Sequence, residues 1–219
     1  MLIVYLRFIS ITVFNIFTIH LIIIFLMDDF LLYFKMGLNH VLDLAAYDHI
    51  LFLIVLAVVF SFKQWKKVLW LVTLFTIGHS ITLALSAYGI LKIKMDMIEF
   101  LIPVTIFITG AINVFTAKNT ASGKQNINLI FALFFGLIHG LGFSNYFKMM
   151  VGKEENKLFP LLEFALGIEA AQIIIVLGIL IVGTLLQNFF RASRRDWILV
   201  CSSIVIGFAI QMMTDRVFW

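Results

Sequence analysis

The stretch AYDHILFLIVLAVVF, residues 46–60, decides the class of fold. Behind Asp48 and His49 it is apolar without interruption from Ile50 to Phe60. Similar runs recur along the chain, at residues 2–26, 45–62, 67–89, 97–117, 127–149, 159–187 and 196–213. At about 1.5 Å of rise per residue, each is long enough for a helix across a hydrocarbon layer of about 30 Å. Transmembrane strands would be shorter and would alternate apolar with polar residues, which these runs do not. The expected fold is therefore all-α: a polytopic transmembrane bundle of six core helices plus one N-terminal apolar segment.

Composition points the same way. Of 219 residues, 63% are hydrophobic and only 13% charged, and the mean hydropathy is +1.09. A soluble domain is nearer half apolar. The net charge of +4 does not suggest nucleic acid, because the Lys and Arg residues lie in short loops between apolar runs. The expected partner is the lipid bilayer. Cys201 is the only cysteine, which excludes an intrachain disulfide and any multi-cysteine zinc or iron–sulfur site. No G-x-x-x-x-G-K-[ST] loop is present, and the loops are too short for a nucleotide-binding domain.

Two units follow: an apolar helix or signal-like extension over 1–26, and a six-helix transmembrane domain over 27–219. No small-x-small cleavage pattern precedes Met27-Asp28-Asp29, so an uncleaved helix is expected, with Met27 as an alternative start. Lys63, Lys66, Lys67, Lys118, Lys124, Arg191, Arg194 and Arg195 fall on one side of the six core runs, and Lys35, Lys92, Lys94, Lys148, Lys153, Lys157 and Arg216 on the other, eight against seven, which by the positive-inside rule decides little. Most acids fall on the second side, and that asymmetry is what leans toward 63–67 and 191–195 in the cytoplasm and 28–46 outside.

Ionisable residues in hydrocarbon cost several kcal/mol and are usually functional. Besides Asp48 and His49, this chain places His79 in TLFTIGHSITLAL (73–85), His139 in ALFFGLIHGLGFS (132–144), and Glu163 and Glu169 in LLEFALGIEAAQIII (161–175). His79 and His139 each lie about 18 Å along their runs, and Glu169 about 15 Å from the opposite end, so separate helices offer groups at compatible heights. Imidazole and carboxylate suit zinc, nickel, iron or manganese, whereas calcium takes oxygen alone. Asp48 can instead support a metal-bound histidine through its second ring nitrogen, or simply cap a helix. Glu169 and Gln172, three residues apart, share a face that Glu163 does not. Ser80, Asn113 and Gln172 are candidate supporting polar groups, and His40 a further candidate ligand. His20 reads as incidental. Gly136 and Gly140 flank His139 in a small-x-x-x-small pattern that lets helices approach closely.

Four stretches, GLNHVLDLAAYDHILFLIVLA (37–57), VTLFTIGHSITLALS (72–86), FFGLIHGLGFSNYF (134–147) and LLEFALGIEAAQ (161–172), together resemble the HupE/UreJ family of bacterial membrane proteins. The resemblance covers about Asp29 to Met213 and is closest to the Bacteroidetes-type branch, whose members often begin near DDFLLYFKMG. It implies a six-helix permease in the bacterial cytoplasmic (inner) membrane, associated with nickel or cobalt uptake, in which His and Asp residues handle a divalent cation. Nickel-linked members carry His, five residues, then Asp-His; here seven residues separate His40 from Asp48. They also carry Phe-His-Gly-x-x-His-Gly-x-Glu, and here Phe135 replaces the first His and Gly142 the Glu.

The leading expectation is a divalent-cation permease or facilitator. His49, His79 and His139 would bind the ion, Asp48 and Glu169 would neutralise charge, and His40 would assist. One alternative is an intramembrane metal-dependent hydrolase with Asp48 or Glu169 as base, although no H-E-x-x-H pair is present. A second is a non-catalytic assembly or sensor protein whose polar groups serve packing.

Overall fold

In a computed structural model, residues 27, 29–91, 93–118, 125–152, 154 and 156–219 are described, with backbone alone at 125–128. They form seven helices and no strands. These are α1 (29–42), α2 (Asp48–Ala57), α3 (Trp65–Ala87), α4 (Met95–Thr116), α5 (Gln125–Met150), α6 (Leu158–Phe189) and α7 (Arg194–Asp215), with a 3-10 turn at Phe62–Gln64 before α3. The five from α3 to α7 are long and apolar enough to cross a membrane. The apolar N-terminal segment 1–26, with His20, lies outside the described residues.

The stretch before α3 is built differently from the sequence expectation. Residues 28–46 read as an outer loop, yet 29–42 form a helix packed into the bundle. Lys35, Asn39 and His40 interrupt its hydropathy, which hid it. The signal that was there is spacing: Tyr33, Gly37 and Val41 recur every four residues and are all buried, the stripe of an amphipathic helix. Conversely, the run 45–62 yields only ten helical residues in α2, about 15 Å.

Together α1 and α2 make one interrupted path through the bundle. At one end, Tyr33 donates to Glu154 in the α5–α6 connection. At the other, Asn113 near the end of α4 donates to the Val55 carbonyl, and Arg194 at the start of α7 donates to the Val59 carbonyl. Residues 43–47 form the turn between the half-helices. Asp43, Leu44 and Ala45 are exposed there, while Asp48 and His49 directly after them are buried.

Glycine sets the closest approaches. On α3 and α5, a Cβ at Gly78 would meet the Leu133 carbonyl, one at Gly136 the Phe75 carbonyl, and one at Gly140 the His79 carbonyl and Thr82 hydroxyl. From Phe75–Gly136 to His79–Gly140 the contacts advance by four residues along both helices, so α3 and α5 run parallel. Gly37 meets the Phe164 carbonyl and Gly167 the Phe34 carbonyl, which joins α1 to α6 in the same way. Pro103 lies inside α4, which continues through it. Phe52, Phe75, Phe147 and Phe164 are among the largest fully buried side chains and fill the centre.

Candidate metal centre

The interruption between α1 and α2 brings two histidines within reach of each other. His40 lies in the last turn of α1 and His49 in the first turn of α2, with ring centroids 4.6 Å apart. His79 of α3 completes the group, its ring 5.7 Å from His40 and 6.0 Å from His49. One nitrogen from each of the three lies within 4.8 Å of the others. In a tetrahedral site with bonds of about 2.0–2.1 Å, ligand nitrogens stand about 3.3–3.4 Å apart. The rings therefore need only close up slightly around an ion.

The nitrogens are available. Nε2 of His40, Nε2 of His49 and both ring nitrogens of His79 are buried without a hydrogen-bond partner. Buried polar atoms are normally paired, so this is a concentration of unmet donor and acceptor capacity at one point. His79 is fully buried and His49 is 5% exposed.

Asp48 orients the group rather than joining it. Its Oδ1 lies 3.0 Å from His49 Nδ1 and also accepts the His49 backbone N–H at 2.8 Å. A carboxylate on the far ring nitrogen fixes the tautomer and raises the basicity of the other nitrogen. Asp48 Oδ2 is 3.9 Å from Arg216 at the end of α7, and Arg216 also donates to the Glu99 carbonyl. The backbone dipoles reinforce the arrangement: the C-terminal end of α1 carries partial negative charge next to His40, and the N-terminal end of α2 receives the Asp48 carboxylate.

His139 stands beside this trio. Its ring is 5.3 Å from that of His49, its Nδ1 is bonded to the Phe135 carbonyl at 2.9 Å, and its Nε2 has no partner. Aromatic rings enclose the whole group. Phe52 and Phe75 lie 5.4 and 5.1 Å from His139, and stack on each other at 5.0 Å. On the other side Phe143 lies 4.0 Å from His40 and stacks on Phe164 at 5.1 Å. Such apolar walls lower the local dielectric, which strengthens electrostatic interactions inside.

Glu169 is placed elsewhere. Its two oxygens accept from Thr73 at 2.6 Å and Thr76 at 2.5 Å. Thr76 also lies 3.0 Å from Gln172 Oε1, so Glu169 and Gln172 do share a face, directed at α3 one turn before His79. Asn113 binds the Val55 carbonyl, and Ser80 Oγ is buried and unpartnered. Sequence reasoning overlooked Thr73, Thr76 and Arg216. The threonines sit three apart in the His79 stretch, a spacing that puts both on one helix face; Arg216 carried no local signal.

The fold and site define a multi-pass helical membrane protein with a histidine cluster buried inside its bundle. The chain belongs to the HupE/UreJ family: the family model described as HupE / UreJ protein matches residues 19–216, nearly its whole length. No curated protein and no solved structure matches it.

Proposed function

We propose that this protein is a permease or facilitator for a divalent transition-metal cation, of the nickel or cobalt type associated with its family, in the bacterial cytoplasmic membrane. One observation carries the reading: His40, His49 and His79, from three different helices, present nitrogens within 4.8 Å of one another inside the bundle. Neutral imidazole suits nickel, cobalt and zinc and disfavours calcium and magnesium. A set of three leaves further coordination positions to water, so the ion can enter and leave.

Three histidines with an open position are also the ligand set of hydrolytic zinc sites. The surroundings favour transport. Asp48 is engaged by His49 and Glu169 by two threonines, so neither carboxylate stands free beside the trio as a base for water.

The test is Co²⁺ binding to the purified protein in mild detergent, followed by d–d absorbance, then Co²⁺ entry into proteoliposomes. Near-stoichiometric, readily exchanged Co²⁺ is expected, lost on His40→Ala, His49→Ala or His79→Ala. Absence of binding by the wild type, or binding indifferent to all three substitutions, would overturn the reading.

A further inference from the structure

The polar cluster on the α3–α6 seam has a different chemistry from the histidines. Around Thr76 Oγ1 stand three acceptors: the Val72 carbonyl at 3.2 Å, Glu169 Oε2 at 2.5 Å and Gln172 Oε1 at 3.0 Å. A hydroxyl has one hydrogen, so it can satisfy only one of them. Thr73 Oγ1 adds another oxygen, 2.6 Å from Glu169 Oε1. Six oxygens, from Thr73, Thr76, Glu169, Gln172 and the Val72 backbone, thus gather with few hydrogens between them. Gln172 is fully buried and its Nε2 has no partner.

Position makes the cluster costly. Glu169 lies inside α6, the longest apolar helix, where an ionisable group is expensive unless it serves a purpose. Asp48 is paired with His49 and with Arg216. Glu169 is in neither pair. Titratable or charged residues on the elements packed against α6 are His79, Lys66 and Lys67 on α3, Lys63 in the 3-10 turn before it, Asp29, Tyr33, Lys35 and His40 on α1, and Asp48 and His49 on α2, with Glu163 on α6 itself. The hydrogen bonds to the Glu169 carboxylate come from the two threonines.

We propose that Thr73, Thr76, Glu169 and Gln172 form a second cation site, built of oxygen, for a small hard monovalent ion, Na⁺ or a proton, whose binding is coupled to movement of the divalent ion. The inference rests on the transport reading above. Hard cations take oxygen donors and the histidine trio offers nitrogen, so the two ions do not compete for one set of ligands. Coupling follows from which helices carry each site. Glycine contacts join α3 to α5 and α1 to α6. His79 belongs to the first pair and His40 to the second; Thr73 and Thr76 belong to the first, Glu169 and Gln172 to the second. Both sites therefore bridge the same seam, one helical turn apart on α3, and any change in its spacing is felt by both. Linkage of this kind is reciprocal.

The experiment is Co²⁺ uptake into proteoliposomes containing an internal Co²⁺-quenched dye. It is run with an inward Na⁺ gradient at equal pH, with an inward proton gradient without Na⁺, and with K⁺ in place of Na⁺ at equal pH. Wild type is expected to respond to Na⁺ or to the proton gradient by about fivefold or more, and the arm that responds names the ion. Glu169→Gln is expected to lose that response while binding Co²⁺ in detergent as the wild type does; Thr76→Ser, which keeps the hydroxyl, should retain it. If Glu169→Gln does not fold, Thr73→Val/Thr76→Val carries the same test. No response in wild type, an equal response to K⁺, or a response surviving in Glu169→Gln would overturn the proposal. Failure of wild type to bind Co²⁺ in detergent would instead strike the histidine site itself, so the two failures are distinguishable.

Discussion

Asp48 Oδ1 holds His49 twice, through the ring Nδ1 at 3.0 Å and the backbone N–H at 2.8 Å. One oxygen thus anchors both the side chain and the start of α2, and leaves His49 Nε2 as the free nitrogen. Adjacent residues in a helix point in different directions, so this contact depends on Asp48 standing in the first turn, where its side chain can fold back.

Removing that anchor should weaken metal binding without removing a ligand. Asp48→Ala is expected to lower Co²⁺ affinity by about 10- to 100-fold, the usual effect of losing a carboxylate behind a metal-bound histidine. Asp48→Asn should cost less, because its amide oxygen can still accept from Nδ1. Titration calorimetry in detergent checks the order; equal affinities for all three proteins would contradict it.

The histidines should not be equivalent. His40→Ala, His49→Ala and His79→Ala each remove one of three converging nitrogens and should abolish stoichiometric Co²⁺. His139, with Nδ1 occupied by the Phe135 carbonyl, stands next to the trio. His139→Ala is expected to keep one Co²⁺ per chain, with affinity reduced by no more than about tenfold. Metal analysis after gel filtration distinguishes these outcomes.

Binding should strengthen as pH rises. A metal ion and a proton compete for the same imidazole lone pair, so binding displaces protons and affinity falls as acid is added. On acidification from neutral pH the apparent Co²⁺ affinity should drop by about tenfold or more once protons outcompete the ion, and it should recover when the pH is raised again. Affinity that stays unchanged down to the pH at which the protein unfolds would contradict histidine ligation.

The glycine contacts predict where the fold is least tolerant. A methyl group at Gly136 would run into the Phe75 carbonyl, which is backbone and cannot turn aside, whereas Gly207 has open space. Gly136→Ala should destabilise by about 1–3 kcal/mol, as overpacking does. Gly207→Ala should stay within about 0.5 kcal/mol. Thermal unfolding in detergent, wild type beside both variants, measures the difference.

Much of this was legible residue by residue. The runs carrying His79, His139 and Glu169 announce buried polar groups because hydrocarbon tolerates so few. The Gly136–Gly140 pattern announces a close helix contact that the structure contains. The helix over 29–42 was harder to see, since hydropathy averages over Lys35, Asn39 and His40 and only the four-residue spacing of Tyr33, Gly37 and Val41 betrays it. His40 is the clearest example: from the sequence it belongs to the outer loop or to a helix start and only assists, and placed on α1 it stands 4.6 Å from His49.

The sequence by itself determined that the chain is a helical membrane bundle, because length and apolarity are properties of each segment alone and a bilayer admits few other solutions. It also determined which polar residues had to be accommodated inside. Only the tertiary structure decided their grouping. That grouping depends on a turn at 43–47 that sets the short helices α1 and α2 end to end, and on glycines that bring α3 against α5 and α1 against α6. Neither is a local property. Distances between side chains on different helices follow from how the helices pack, and packing separated a nitrogen trio of His40, His49 and His79 from an oxygen cluster around Glu169 one turn away.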